Sequence, residues 1–208
     1  MQISPVLHYG WLRTCAVLLL TLGNPLAALR QFEKMLGLRP SDRHALASRA
    51  HLQAQLNHLE EAIQGLMQLT GIPGTPIQEA STWFNLGYVQ QRLQHHQAAA
   101  TAFGRAVALA PRMDQAWYGL AMARIGQRQF HEALAALQQN TALQPLSPYG
   151  WYRLAQVRLA LGQPEEARAV VEHLRRFEPR VAAQLERENG PGGSGAGLPT
   201  SLAPDALH

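Results

Sequence analysis

Only one cysteine, Cys15, occurs among the 208 residues. That excludes an intrachain disulfide and any zinc site built from several thiolates. Lysine is equally scarce, with Lys34 alone against 17 arginines. Apart from Arg175-Arg176 the arginines are spread singly, so the formal charge of +4 is not gathered into a basic face. Nucleic-acid binding needs such a face, and its absence argues against a nucleic-acid partner. Charged residues are only 15% of the chain and apolar residues 47%, which excludes wholesale disorder and allows a core. There is no Ser-His-Asp spacing, P-loop or dinucleotide fingerprint, and "GPGGSGAG" follows no strand. The sequence therefore points to no enzyme, no small-molecule substrate and no cofactor.

What the chain does contain is a period. Trp83, Trp117 and Trp151 are spaced by 34 residues, and so are Pro111, Pro145 and Pro179. With Ala80 as position 1 of a repeat, the next two begin at Asp114 and Pro148. Position 7 then holds Leu86, Leu120 and Leu154, and position 8 the small residues Gly87, Ala121 and Ala155. Position 20 holds Ala99, Ala133 and Ala167, and position 24 holds Phe103, Leu137 and Val171. Small residues at 8 and 20 let two helices approach, large ones at 4, 7 and 24 fill the surrounding space, and proline at 32 ends the second helix.

Two weaker repeats precede these. Residues 9–42 keep Gly23, Ala28, Phe32 and Pro40 in register but have Leu12 in place of Trp. Residues 43–76 keep Leu46, Ala50, Ala62 and Leu66, with Arg49 at position 7 and Gly74 in place of proline. The strong repeats span 80–113, 114–147 and 148–181. The extra residues Ile77 to Glu79, in "GIPGTPIQEAS", predict a longer connection and a hinge between the second and third repeats. "RVAAQLERE", about 181–188, is expected to cap the last repeat, residues 1–8 form a lead-in, and the Gly/Pro-rich tail 189–208 is expected to be disordered.

Trp83, Leu86, Gly87, Ala99, Phe103 and Pro111 resemble the tetratricopeptide repeat motif W-x2-L-G-x2-Y, A-x3-F, P, with Gln90 replacing its tyrosine. The resemblance implies an all-α fold, a right-handed α-solenoid of stacked antiparallel helix pairs, A and B, in about five repeats. It also implies a concave groove lined by the A helices at positions 2, 5, 9, 12 and 13. Carried onto this sequence, the groove is Phe84, Tyr88, Gln91 and Arg92, then Gln115, Tyr118 and Met122, then Tyr149, Tyr152 and Gln156; the weaker repeats add Arg13, His44, His51 and Gln55. Tyr, Phe, Met and Arg suit a protein interface. The implied function is a non-enzymatic adaptor or scaffold holding a partner peptide or helix in the groove. The alternatives are an exported or membrane-anchored assembly factor with residues 1–28 as signal or anchor and, less favoured, a regulatory subunit or nucleic-acid adaptor. The Lys and Asn of chaperone-binding relatives are missing, which argues against a chaperone tail as ligand.

Other clusters have structural explanations. Glu60-Glu61, Glu132 and Glu165-Glu166 recur at the start of helix B, where carboxylates favour the positive helix end. His58, His95-His96 and His131 fall near the A–B turn with no carboxylate or thiolate to complete a metal set, so no metal is expected. Cys15 reads as a small core residue.

The N-terminal "WLRTCAVLLLTLGNPLAA" carries two readings. As a repeat helix it belongs to a cytoplasmic protein. As a signal or anchor, residues 1–28 would make the protein periplasmic or membrane-anchored, although Leu26 makes a poor cleavage site. The repeat register runs through the segment and favours the helix. Val17 and Leu20 nevertheless leave it apolar on faces that a partner, a second copy or a lipid surface would have to cover.

Overall fold

The computed structural model describes residues 5–189. The first four lead-in residues, and the expected tail except Asn189, lie outside them. Among the described residues there are eleven α-helices and no strand. They are α1 (Pro5–Thr21), α2 (Pro25–Leu38), α3 (Arg43–Gln55), α4 (Leu59–Thr70), α5 (Pro76–Arg92) and α6 (His96–Leu109), then α7 (Asp114–Gly126), α8 (Phe130–Leu143), α9 (Pro148–Ala160), α10 (Pro164–Arg175) and α11 (Pro179–Asn189). The fold is all-α, an α-solenoid of stacked antiparallel helix pairs. The chain packs as two compact bodies, one ending at Pro111 and one beginning at Arg112. In the first, each helix from α1 to α6 packs on the next; in the second the same holds from α7 to α11, and α11 also reaches α9.

The small residues of the repeat lie at buried helix contacts. Ala28, Ala62, Ala99 and Ala133, all at position 20, are fully buried. Position 8 is equally tight: a Cβ added at Gly87 would lie 2.9 Å from the Phe103 ring. Around these contacts sit large side chains. Phe32, Met35 and Leu46 fill the core beside α1, and Trp83 packs against the cluster of Leu66, Leu86 and Val89. In the second body Trp117 and Trp151 pack on Leu137, Leu154 and Val157. All three tryptophans are half-buried, each against the core of its own helix pair.

Helix starts follow local chemistry. Asn24 and Asp42 accept backbone N–H bonds from Ala27 and Ala45, and prolines open α2, α5, α9 and α10. Every A–B turn crosses the left-handed region at position 15, at Gly23, Asn57, Gln94, Arg128 and Gly162.

The hinge expected in "GIPGTPIQEAS" is not one. Thr75 and Gln78 form a reciprocal capping box with Pro76 in the first turn, so α5 begins at Pro76 and residues 77–79 are helical. The short remaining loop is tied down from both sides. The Arg43 guanidinium donates to the carbonyls of Ile72 and Leu69 and to Thr82 Oγ1, and the Gly74 N–H donates to Glu79 Oε1 at 3.1 Å. The chain divides after Pro111 instead.

Candidate functional site

In the first body, side-chain bonds join α5 to α3. Arg92 Nη1 donates to the Ala54 carbonyl at 2.7 Å, and its Nη2 donates to Asn57 Oδ1 at 2.9 Å. Arg92 thus closes the C-terminal end of α3, where helix carbonyls lack intrahelical donors, and its cation is already engaged. Phe84 is half-buried, with its ring centroid 5.8 Å from that of Phe103, and works as core more than as surface. Tyr88 is 43% exposed. Gln91 is half-buried, whereas His51, Gln55 and Arg13 are exposed. His44 is exposed too and leans edge-on to Phe32. The two helices thus carry exposed Tyr88, His44 and His51, with Arg92 held at the C-terminal end of α3; α1 and α3 contain no acidic residue, and the acid that caps α3, Asp42, lies against His44. The acid in the first turn of α5, Glu79, is spent on the Gly74 backbone.

In the second body the expected residues separate. Gln115 and Tyr149 are exposed, while Tyr118 and Met122 are half-buried against the cluster that contains Ala121 and Leu137. Tyr152 and Gln156 are only 4% and 6% exposed. The structure corrects their assignment to an open groove. Ala182 and Leu185 of α11 pack on Tyr152, whose hydroxyl donates to Glu188 Oε2 at 2.5 Å. Burial, and then the Glu188 carboxylate beside it, push the Tyr152 hydroxyl up to about 12. Gln156 Oε1 accepts from Arg153 Nη1 at 2.9 Å, so its amide serves the buried Arg153. The capping helix expected at 181–188 occupies the space in which Tyr152 was to meet a partner.

Sequence reasoning passed over two functional-looking groups. Arg43 opens the second repeat, and its grip on a loop 29 residues away has no local sequence signal. Trp11 did have one: it is a large aromatic at a position that is small in the other repeats.

His58 and His95 take the N-cap positions of α4 and α6 without side-chain capping bonds. Among the described residues no group of three or more His, Cys, Asp or Glu side chains could hold a metal ion. No helix there is long and apolar enough to cross a membrane.

Two family models, both described as tetratricopeptide repeat, match residues 124–186, and residues 16–70 with 84–125. The chain belongs to the tetratricopeptide repeat family. Solved structures agree on the fold. A MamA protein is 18% identical over 92% of this chain and 98% of its own, with a TM-score of 0.74. MamA 41-end from Desulfovibrio magneticus RS-1 is 20% identical over 88% and 97%, with a TM-score of 0.73. YrrB, described as a TPR protein with an unusual peptide-binding site, is 19% identical over 83% and 88%, with a TM-score of 0.72. No curated protein matches the chain.

Proposed function

We propose that this protein is a non-enzymatic adaptor that holds a segment of a partner protein on the A-helix face of α3 and α5. The tetratricopeptide family points to a protein interaction scaffold, and the face itself supplies the chemistry. The observation that carries the reading is the combination of an exposed Tyr88 with His44 and His51, on a surface whose acids, Asp42 and Glu79, are already bonded. Tyrosine contributes a large apolar area with a polar tip at small conformational cost. The His51 imidazole and the Arg92 cation, which is bonded only to neutral oxygens, favour a segment that combines apolar and acidic side chains. Tyr149 and Gln115 offer a second, smaller patch on the C-terminal body.

Peptide display against the full chain tests this. Enriched peptides should combine apolar and acidic residues, and Tyr88→Ala with His51→Ala should weaken them about tenfold or more, a loss typical of an aromatic anchor. Both side chains are on the surface, so helicity and melting should stay at wild-type values. Retention of full affinity by the double variant, with its fold intact, would move the site elsewhere.

A further inference from the structure

In α3, α5 and α9, positions 3 and 10 of the repeat face the preceding helix and are buried: Ala45 and Leu52, Thr82 and Val89, Gly150 and Val157. Position 3 is always small there, and a Cβ added at Gly150 would overlap the Asn140 side chain of α8. In α1 the same positions hold Trp11 and Leu18, which are 66% and 56% exposed. Leu7, one turn before, and Leu22, one turn after, are 68% and 78% exposed. The packing face of a repeat is thus presented bare. Trp11 fills the space that a preceding hairpin of the same geometry would need, so another regular repeat does not fit it.

We propose that this face pairs with the same face of a second copy of this chain, α1 against α1 in antiparallel orientation. Leu7, Trp11, Thr14 and Leu18 follow steps of four, three and four residues, the narrow seam of a two-helix contact. A two-fold axis between Thr14 and Cys15 sets Trp11 of one copy beside Leu18 of the other, and Leu7 beside Leu22, so the patch complements itself. Thr14 beside the axis is small, and its hydroxyl is already bonded to the Gly10 carbonyl at 3.1 Å, so the helices can close without stranding a donor. The bare side chains offer on the order of 600 Å² per copy, given that one large aromatic alone carries about 150–250 Å². Neighbouring stems bring this near the roughly 800 Å² per partner of a standard interface. The seam has no charge, and Arg13 lies at its edge, where the two copies would bring their guanidinium groups together. One arginine in an otherwise uncharged exposed face is too little for an anionic lipid surface, which is met by clusters of basic residues.

Sedimentation velocity of the full chain at roughly 1 to 100 µM should show a monomer–dimer equilibrium of micromolar strength. Added salt should strengthen it, by screening Arg13 from Arg13. Trp11→Arg and Leu18→Arg should each give monomers throughout that range with unchanged far-UV circular dichroism. Thr14→Cys in a Cys15→Ser background should form an interchain disulfide on mild oxidation, whereas Thr101→Cys, exposed on α6, should not. If the arginine variants fail to fold, the cross-link decides alone. A chain that stays monomeric, a dimer that survives both folded arginine variants, or a dimer without the Thr14 cross-link overturns the proposal. So does a monomer that floats with phosphatidylcholine–phosphatidylglycerol vesicles and loses them with Leu18→Arg.

Discussion

Replacing Gln94 and Arg128 by glycine should stabilise this protein. The A–B turn of every helix pair places position 15 at φ between 58° and 70°. Two pairs satisfy this with glycine and three use Asn57, Gln94 and Arg128. An L-residue in the left-handed region costs about 1–2 kcal/mol, because its Cβ crowds the following carbonyl oxygen. Glycine removes that cost but gives back about 0.5–1 kcal/mol through the wider freedom of its unfolded state. The net gain is therefore about 0.5–1 kcal/mol per substitution. Both side chains are exposed, so little packing is lost. Asn57→Gly should behave differently: asparagine tolerates this conformation, and its Oδ1 accepts from Arg92, so the change should be neutral or slightly destabilising. Urea titration followed by circular dichroism checks this, with the midpoint rising and the slope unchanged for Gln94→Gly and Arg128→Gly. Ala135→Gly, exposed in the middle of α8, is the control and should lose about 1 kcal/mol. If the two turn variants fell as far as that control, left-handed strain would not be the force acting at position 15.

Three further outcomes follow from particular contacts. Gly87→Ala should cost about 1–3 kcal/mol, because its methyl group meets the buried Phe103 ring; Phe103→Leu in the same chain should recover part of the loss in thermal melting. Arg43→Ala should cost about 1–3 kcal/mol by leaving the Leu69 and Ile72 carbonyls short of a donor, with faster hydrogen exchange concentrated at residues 69–74. The Tyr152 hydroxyl titrates at about 12 in the folded protein, against an ordinary 10. The folded state therefore keeps a proton that the unfolded chain releases, so this contribution is full below pH 10 and is lost as pH rises through about 12. Tyr152→Phe should flatten that part of the stability profile, while the Tyr9 hydroxyl, also held near 12, preserves the rest.

The fold was legible because the repeat writes each packing demand several times. Alanine at position 20 and small residues at position 8 have one reason to recur in register, and in the folded chain they are buried where helices meet. The candidate site was legible only as a list of positions. Tyr88, Tyr149 and Tyr152 looked equivalent in the sequence, yet Tyr152 lies under α11 while the other two remain exposed. Nothing in the Tyr152 segment reports this, because exposure at an A-helix position depends on the next helix along the stack. Arg92 misled for a similar reason: the carbonyl it serves is 38 residues away. The loop before α5 could have been read better, since Thr75-Pro76 with Gln78 is a helix-start signal that outweighs the glycines around it.

The same register separates the two surfaces proposed for this chain. On an A helix, positions 3 and 10 point along the stack, and positions 2, 5 and 9 point to the side. His44, His51 and Tyr88 occupy the side positions of α3 and α5, and Trp11 and Leu18 the stacking positions of α1. Pairing through α1 would therefore leave the Tyr88 face open in both copies. A two-fold dimer would then carry two such faces, and a partner with two recognition segments would gain from the second at a high effective concentration. For a surface with one exposed tyrosine and two histidines, which can give only modest affinity alone, that doubling supplies a physical reason for α1 to keep its apolar face bare.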